Sequence, residues 1–432
     1  PDARFPATLP AASAANLTAV PAANITGTLP AISGANLTSL PAANLTGTLP
    51  AISGANLTGI SSAGRAHNLM VNGACLIAQR AASSTSSLYA TVDRFRFAYA
   101  LVDENPTTAH VDVSSGTTPY TLGFRKAVKI TNGNQSSGAG TSDRIAFEYR
   151  IEAQDIANSG WNYVSASSNI TLSFWIKSSV AQNFYFYFET ADGTAQIYPM
   201  ETGSLSADTW TKITKTIPGN SNLQFDNNQH LGLKLYFSYF TGTDYTNNSQ
   251  SLNAWGAYSS ASRFPDNTST WYTTDNATVE MTGFQLEVGD SATDFEHLSY
   301  QENLTRCRRY CFAIQESGAP LGDGGAVTMT GNDGYIAYGQ AVNGANPIVT
   351  QIFYPPMRAT PSLSDSGNQF KFWRGHAADI PANGSGIFTE SIGCSPMHFR
   401  YGIHSAGGMT NGDAGMLTFN GSGGYIIFSA EL

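Results

Sequence analysis

A period-two alternation of apolar and polar residues runs through the middle of the chain. The segment "ITLSFWIKSS" is the clearest case, since every second residue from Ile170 to Ile176 is apolar. This pattern is typical of a β-strand with one buried face. Similar patterns occur at residues 183–190, 210–217, 231–240 and 278–289. Polar, turn-rich loops separate these strands and no amphipathic helix lies between them. Residues 67–299 are therefore predicted to form an antiparallel β-sandwich.

The pattern changes twice after this segment. Leu304, Cys307 and Cys311 follow a spacing of three and four residues, which predicts a short helical connector at residues 300–317. From residue 318 onward the chain is rich in glycine and carries short alternating strands such as "FKFWRG" and "MHFRYGIH". Glycine permits tight turns and close contact between backbones. Residues 318–432 are therefore predicted to form a second, smaller C-terminal β-sandwich.

The first 66 residues carry an internal repeat instead of strand patterns. The phrase "LPAISGANLT" begins at Leu29 and again at Leu49, and no charged residue or histidine occurs from Phe5 to Gly64. Proline recurs too often for a helix, and glycine does not fall at every third position as in collagen. Each repeat has too few apolar side chains to close a core alone, whereas stacking several chains would bury them. We predict an intertwined, trimeric β-stalk at residues 1–66, with a loose linker as the alternative.

A long polar loop supplies the first candidate binding residues. Residues 241–278 show no strand pattern but carry Trp255, Tyr258, Trp271 and Tyr272. An aromatic ring can pack on the apolar face of a pyranose while neighbouring amides bond its hydroxyls. These four residues are therefore candidate carbohydrate-binding residues. The alternative is that their rings anchor the loop to the sandwich or to a neighbouring subunit.

A second candidate group lies in the last domain. Trp373, Arg374 and His376 cluster on or just after one predicted strand. An aromatic ring, a guanidinium and an imidazole at a strand end can face a ligand, and we include Trp373 and His376 among the candidate carbohydrate-binding residues. The alternative, which we favour, is that this cluster completes an interface between subunits.

Composition and motifs exclude several other classes of function. The formal net charge of -9 argues against a nucleic-acid partner, and no long apolar run predicts insertion into a membrane. Four cysteines do not make a disulfide framework, and Cys307 and Cys311 lack a second ligand pair for zinc, so we expect buried free thiols. We expect no cofactor. A structural calcium ion is compatible with such a sandwich, but the sequence identifies no ligands for it.

No catalytic residues emerge from the sequence. The chain contains no nucleophile elbow, no phosphate-binding Gly-Lys-Ser/Thr segment and no HExxH motif. The carboxylates are scattered, and a glycosidase needs two of them at a defined separation, which spacing alone does not establish. We therefore expect a protein without enzymatic activity.

Several phrases together resemble phage tail fibre proteins. They are "MVNGACLIAQR", "YATVDRFRF", "ITLSFWIKSS", "GFQLEVGDSATDFEHLSYQENLTRCRRY" and the terminal "FSAEL", which span roughly residues 67–432, and the repeat wording of the stalk is similar to that of tail fibre shafts. The resemblance implies a jelly-roll domain like a carbohydrate-binding module, within an elongated homotrimer. These are scaffold phrases, so they transfer no binding residue to this chain.

The resemblance also implies a role. It predicts a virion tail appendage that binds a host-surface receptor, such as a glycan or a protein, without catalysis. The partner at the other end would be the phage tail or baseplate, reached through a part expected to precede Pro1. Two alternatives remain: a structural virion appendage that binds no receptor, and a polysaccharide-degrading tailspike.

Overall fold

The computed structural model describes a large part of the chain beyond the repeats. The described residues are 68–322, 324–329, 335–342, 346–374, 379–390, 393–405, 408–420 and 423–432. The chain divides into two compact units, residues 1–62 and 63–432, and all described residues belong to the second. The predicted stalk at residues 1–66 lies outside the described residues.

The middle of the chain forms two antiparallel sheets. The strands of the first sheet are β1 (Ser83–Ser84), β3 (Thr107–Asp112), β4 (Lys126–Thr131), β6 (Asn169–Ser178), β9 (Thr211–Pro218) and β12 (Thr278–Val288). The strands of the second sheet are β2 (Phe95–Ala100), β5 (Arg144–Glu152), β7 (Tyr185–Thr190), β8 (Gln196–Glu201), β10 (Leu231–Thr241) and β11 (Gly256–Ala257). Their spatial orders are β1-β3-β4-β12-β6-β9 and β11-β8-β7-β10-β5-β2.

The inner faces of the two sheets form the main core of the described chain. Alternate residues of β6, from Ile170 to Ile176, are almost completely buried, as their spacing predicts. Phe174 of β6 lies 5.5 Å from Phe186 of β7 and 6.1 Å from Phe237 of β10, measured between ring centroids. Burying each such ring contributes about 1.5–3 kcal/mol. The predicted antiparallel β-sandwich is confirmed.

The outer face of the first sheet is covered rather than open to solvent. Trp175 and Trp210 on this face pack in one apolar cluster with Phe124 and Phe295, which come from the segments flanking the sheet. Phe295 and Phe124 lie 4.8 Å apart between ring centroids. The outer face of the second sheet, turned away from the first, also carries an apolar cluster that includes Tyr187, Tyr236 and Phe264.

The connector is helical only in its first half. Two short helices, α1 (Thr118–Thr121) and α2 (Ala153–Ala157), precede it in the chain. Helix α3 (Tyr300–Arg308) begins with a capping box between Ser299 and Glu302, and the chain then forms strand β13 (Cys311–Glu316). The prediction of a helical connector over residues 300–317 is therefore wrong beyond Arg308. Its apolar run from Cys311 to Ile314 pairs with the final strand of the chain instead of continuing the helix. Cys307 and Cys311 are free and buried, as expected.

The C-terminal part combines a sheet with a closed barrel. The sheet contains β13, β14 (Val327–Met329), β17 (Ser362–Asp365) and β22 (Tyr425–Ser429), in the order β14-β13-β22-β17. The barrel contains β15 (Tyr335–Ala341), β16 (Pro347–Ile352), β18 (Phe370–Trp373), β19 (Ile380–Thr389), β20 (His398–Ser405) and β21 (Ala414–Phe419). Its strands close in the order β15-β16-β20-β19-β18-β21.

The all-β prediction is confirmed for the described residues, but the smaller C-terminal sandwich is a barrel packed on a sheet. Closure requires backbones to approach closely, which glycine allows. A Cβ atom on Gly339 would lie 2.0 Å from the carbonyl oxygen of Ile348 on the next strand. Phe428 of β22 packs at 5.5 Å from Tyr401 of β20 between ring centroids, so the sheet and the barrel share one core.

The last residues of the chain return to the sandwich. The carboxylate of Glu431 accepts hydrogen bonds from Arg80, at 3.2 Å, and from Arg94. Arg94 is itself buried, with its guanidinium 3.5 Å from the centroid of the Tyr310 ring. This cluster ties the sandwich, the connector and the end of the chain together.

Candidate functional site

Two of the predicted loop aromatics are buried. Trp271 is 0% exposed and Tyr272 is 1% exposed. Trp271 stacks on Tyr239 at 5.4 Å, and Tyr272 stacks on Phe240 at 4.3 Å between ring centroids. The hydroxyl of Tyr272 donates to Asp143 at 2.8 Å. Their assignment as sugar-binding residues is therefore wrong. Burial of large apolar rings favours the alternative, in which they anchor the loop to the sandwich.

The other two loop aromatics occupy different surroundings. Trp255 is partly buried against Tyr198, at 5.2 Å between ring centroids, and its Nε1 donates to the carbonyl of Pro218 at 2.6 Å. Tyr258 is half-buried and lines a cavity on the outer face of the second sheet. Of the four predicted loop residues, Tyr258 is the one that contributes to this cavity.

The candidate residues of the last domain are not brought together as a site. Trp373 ends β18 and is 42% exposed, beside Met416 of the neighbouring strand. Arg374 donates to the carbonyl of Gly408 at 3.1 Å and lies 3.4 Å from Asp413, so its side chain is engaged within the barrel. His376 lies outside the described residues. The structure therefore leaves Trp373 as a partly exposed ring at the end of its strand.

The cavity on the second sheet is built on a row of residues in register. Pro199, Tyr187, Tyr236, Glu148 and Arg96 lie side by side across five neighbouring strands, β8, β7, β10, β5 and β2. Residues directly opposite on paired strands point to the same face. The Tyr187 and Tyr236 rings stack at 4.9 Å, with planes 10° apart. The row thus begins with aromatic rings and ends with a carboxylate and a guanidinium.

The next row on the same face leaves the space for the cavity. It contains the small residues Ser238, Ala146 and Ala98, paired across β10, β5 and β2. The cavity above this part of the sheet has a volume of about 260 Å³. Pockets for drug-sized ligands have roughly 300–1,000 Å³, so this one suits a ligand the size of a single sugar unit.

The loop after β10 covers one side of the cavity. Phe264 is fully buried, and its ring stacks on Tyr185 at 5.7 Å and lies 5.9 Å from that of Tyr187. Backbone hydrogen bonds hold this segment in place, since the N–H of Arg263 donates to Tyr245 at 3.1 Å and the N–H of Asn247 donates to Phe264 at 2.9 Å. The buried Trp271 and Tyr272 described above anchor the far end of the same loop.

Ion pairs fix most of the charges at the floor of the cavity. Glu148 lies 2.9 Å from Arg96 and 2.7 Å from Arg150, while Lys234 pairs with Glu189 at 2.8 Å. Burial raises the pKa of Glu148, but the neighbouring Lys234, Arg150 and Arg96 outweigh it and lower this pKa below its usual value. Glu148 is therefore a carboxylate with its charge already balanced.

Two further arginines line the cavity, and both pack against an aromatic ring. The guanidinium of Arg144 lies 4.6 Å from the centroid of the Tyr245 ring, and that of Arg263 lies 4.9 Å from the same centroid. Arg263 is also 5.7 Å from the centroid of Tyr236. Cation–π contacts of this kind hold a guanidinium in a defined place. A sugar in the cavity would meet tyrosine hydroxyls, guanidinium donors and one carboxylate acceptor.

A larger hollow elsewhere is lined by three acidic residues, among them Glu296 and Glu302. It measures about 930 Å³ and is lined by residues of α3 and of helix α2 (Ala153–Ala157), including Asp155. Burial and the nearby Glu152 raise the pKa of Asp155 to about 6. Glu152, however, is bound by Arg309 at 2.7 Å and by the hydroxyl of Tyr310 at 2.6 Å. It is therefore not available as the second carboxylate that glycoside hydrolysis requires.

Metal and membrane features are absent from the described part of the chain. No group of three or more His, Cys, Asp or Glu residues is placed there to hold a metal ion. None of the described helices is long and apolar enough to cross a membrane.

The sequence singles out Tyr258 but misses most of the cavity. Its other lining residues include Tyr236, Arg144 and Arg263. A signal does exist, because Tyr236 falls on the outer face that the alternation of β10 predicts. Nothing local marks the arginines, since Arg263 reaches the sheet only when the loop folds back over it.

Comparison with known proteins gives distant likenesses of shape. No family model and no curated protein matches this sequence. Among solved structures, tailspike protein 4 of bacteriophage CBA120 (its enzymatically active domain) is 8% identical with a TM-score of 0.28; the match covers 48% of this chain and 21% of that one. This chain thus spans about a fifth of that structure's length.

Carbohydrate-binding proteins resemble the chain to a similar degree. A putative sugar-binding protein of Bacteroides thetaiotaomicron is 12% identical with a TM-score of 0.28, over 52% of this chain and 100% of that one. The family 11 carbohydrate-binding module of Clostridium thermocellum Lic26A-Cel5E is 14% identical with a TM-score of 0.23, over 50% and 98%. At these values the likenesses carry neither a residue nor a ligand over to this chain.

Proposed function

We propose that this chain binds a carbohydrate in the cavity on the outer face of the second sheet. The observation that carries the proposal is the cavity itself, where tyrosines, guanidinium donors and one carboxylate converge around about 260 Å³. Sugars present hydroxyls together with apolar C–H faces, and this combination of side chains complements both. The rigid sheet beneath the cavity holds these groups in place before a ligand arrives.

The biological setting that we propose is a phage tail fibre that recognises a glycan on the host surface. The support is the resemblance of the sequence to tail fibre proteins, above all at "GFQLEVGDSATDFEHLSYQENLTRCRRY". A virion location, a homotrimer built on the repetitive residues 1–66 and attachment to the tail or baseplate are parts of the same proposal. A protein receptor is the alternative partner.

The binding of a glycan to this cavity is tested by removing one ring. We expect Tyr258→Ala to weaken binding of the full chain on a glycan array, and to weaken adsorption to host cells, by about tenfold. The matched control is Tyr120→Ala, since Tyr120 is also half-buried but does not line the cavity. Equal binding by the two variants would rule out this cavity as the site.

We further propose that binding is not accompanied by cleavage. The engagement of Glu152 by Arg309 and Tyr310 supports this, because burial and the carboxylate of Glu152 raise the pKa of Asp155, and these two side chains hold that carboxylate in place. The measurement is an assay for new reducing ends after incubation of the full chain with host polysaccharide. Release of reducing ends that disappears in Asp155→Asn would identify a polysaccharide-degrading tailspike instead.

A further inference from the structure

The charges that line the cavity are strongly unequal. Arg96, Arg144, Lys234 and Arg263 carry positive charge there, whereas Glu148 is its single carboxylate. The chain as a whole has a formal net charge of -9. A cationic cavity on an acidic protein focuses the local potential on an anion that enters it.

The carboxylates near the cavity are engaged by other cations. Glu148 is shared by Arg96 and Arg150, and Glu189 is taken by Lys234. Within the part of the chain that the structure describes, no carboxylate lies within ion-pair distance of Arg144 or of Arg263. Neither guanidinium group therefore forms an ion pair within that part of the chain, although Glu189 acts on Arg263 from a longer distance.

Arg263 is the more deeply buried of the two arginines. It is 7% exposed, and its Nε, like that of Arg144, is buried without a hydrogen-bond partner. Burial lowers the pKa of Arg263, but the surrounding Tyr187, Tyr236 and Tyr258 together with Glu189 raise it overall, so the side chain stays charged. Leaving the Nε of each guanidinium group buried without an acceptor costs free energy, and an incoming anion would recover that free energy.

We propose that the cavity recognises a sugar bearing an anionic group, either a carboxylate or a phosphate, which Arg144 and Arg263 bind together. A guanidinium presents paired N–H donors that fit the oxygen atoms of both groups. The inference rests on the proposed function, since it names the class of sugar that the same cavity takes. The tyrosines beside the two arginines then contact the sugar ring.

The first test compares sugars that share one ring and differ at C6, where galactose has a neutral hydroxymethyl group and the other two carry an anionic group. Isothermal titration calorimetry of the full chain uses galactose, galacturonic acid and galactose 6-phosphate as probes. We expect at least one of the two acidic sugars to bind about tenfold or more tightly than galactose, with an advantage that shrinks as sodium chloride is raised. The galacturonate and phosphate arms show which anion the cavity prefers.

The second test removes the guanidinium groups one at a time. We expect Arg263→Gln and Arg144→Gln each to abolish the preference for the acidic sugar, measured as the ratio of its affinity to the affinity for galactose in the same variant. The control is Arg125→Gln, because Arg125 also lies over a tyrosine ring, at 4.0 Å from the centroid of Tyr120, but outside the cavity. Thermal unfolding of each variant checks its fold, and the half-buried Arg144 provides the test if Arg263→Gln unfolds.

The outcomes separate this inference from the proposed function. Equal affinity for galactose and both acidic sugars, unchanged by either arginine variant, would overturn the inference and leave carbohydrate binding intact. No binding of any sugar by the full chain, on these probes and on the glycan array, would overturn both. A preference for acidic sugars that persists in both arginine variants would also overturn the assignment to this cavity.

Discussion

At the scale of single residues, buried charges decide where chemistry is possible and where it is not. Glu152 is 0% exposed and receives two hydrogen bonds from Arg309 and one from Tyr310, each at 2.6–2.7 Å. Arg263 is nearly as buried but has no carboxylate partner. The first arrangement is complete and therefore structural, whereas the second leaves binding capacity for a ligand.

The structural role of Glu152 gives a prediction on stability. Burial raises the pKa of Glu152, but the hydrogen bonds from Arg309 and Tyr310 outweigh it, and the pKa lies below the usual 4.5. A carboxyl with a lowered pKa stabilises the fold above its usual pKa and loses this effect as the pH falls. We expect Glu152→Gln to lower the free energy of unfolding by about 3 kcal/mol at pH 7.

Chemical denaturation at several pH values measures this effect. The difference between Glu152→Gln and the natural chain should shrink as the pH falls through and below 4.5. The control is Glu104→Gln, because Glu104 is an exposed carboxylate. A difference that stays constant down to pH 3 would contradict the role of the ionised carboxylate.

At the scale of secondary structure elements, pairing between strands decides which side chains meet. The alternation along β7 and β10 places tyrosines on the outer face, but the cavity needs five strands in register and a row of small residues beside them. In the C-terminal part the same principle acts through glycine. Strands β15 and β16 close the barrel only because Gly339 leaves room for the backbone of the next strand.

The closure of the barrel gives a prediction with a matched control. We expect Gly339→Ala to destabilise the chain by about 1–3 kcal/mol, because the new Cβ atom would lie 2.0 Å from the carbonyl oxygen of Ile348. Gly256→Ala adds the same methyl group at a strand position with no heavy atom within 4 Å. Its unfolding temperature should match that of the natural chain, and equal loss in both variants would argue against the close approach.

At the scale of the whole molecule, the last residues of the chain connect the sandwich with the C-terminal sheet. Glu431 binds Arg80 and Arg94, and Arg358 donates to the carbonyls of Ala430, at 2.7 Å, and Glu431, at 2.9 Å. These contacts connect the sandwich with the C-terminal sheet. The proposed trimer rests on different residues, the repetitive residues 1–66.

The trimer is tested on the full chain in solution. We expect light scattering after size exclusion to give three times the mass of one chain. Leu37→Ser together with Leu57→Ser removes two apolar residues of the repeat and should yield monomers, since the stacking would lose its buried side chains. Asn36→Ser together with Asn56→Ser changes the neighbouring polar positions and should leave the trimer intact. A monodisperse monomer of the natural chain would contradict the proposal.

The sequence by itself determined five strands of the sandwich and the inward face of the clearest one. The period-two alternation from Ile170 to Ile176 is a local property, and burial of one face follows from it wherever the strand lies. The same reasoning located β7, β9, β10 and β12 within a residue or two of their observed bounds. It also predicted a connector helix that begins at residue 300, but it did not predict that this helix ends at Arg308.

Only the tertiary structure decided what lies around the cavity. From the sequence, Trp271 and Tyr272 look like exposed rings in a polar loop. They are buried because the loop folds back, and removal of their apolar surface from water favours packing on Tyr239 and Phe240. Arg144 and Arg263 are far apart in the chain, and they meet over Tyr245 because the same loop folds back over the sheet. Contacts between distant segments depend on the register of neighbouring strands and on where a loop folds back onto the sheet. Local alternation of apolar and polar residues encodes neither, so the proposed binding surface emerges only in the folded chain.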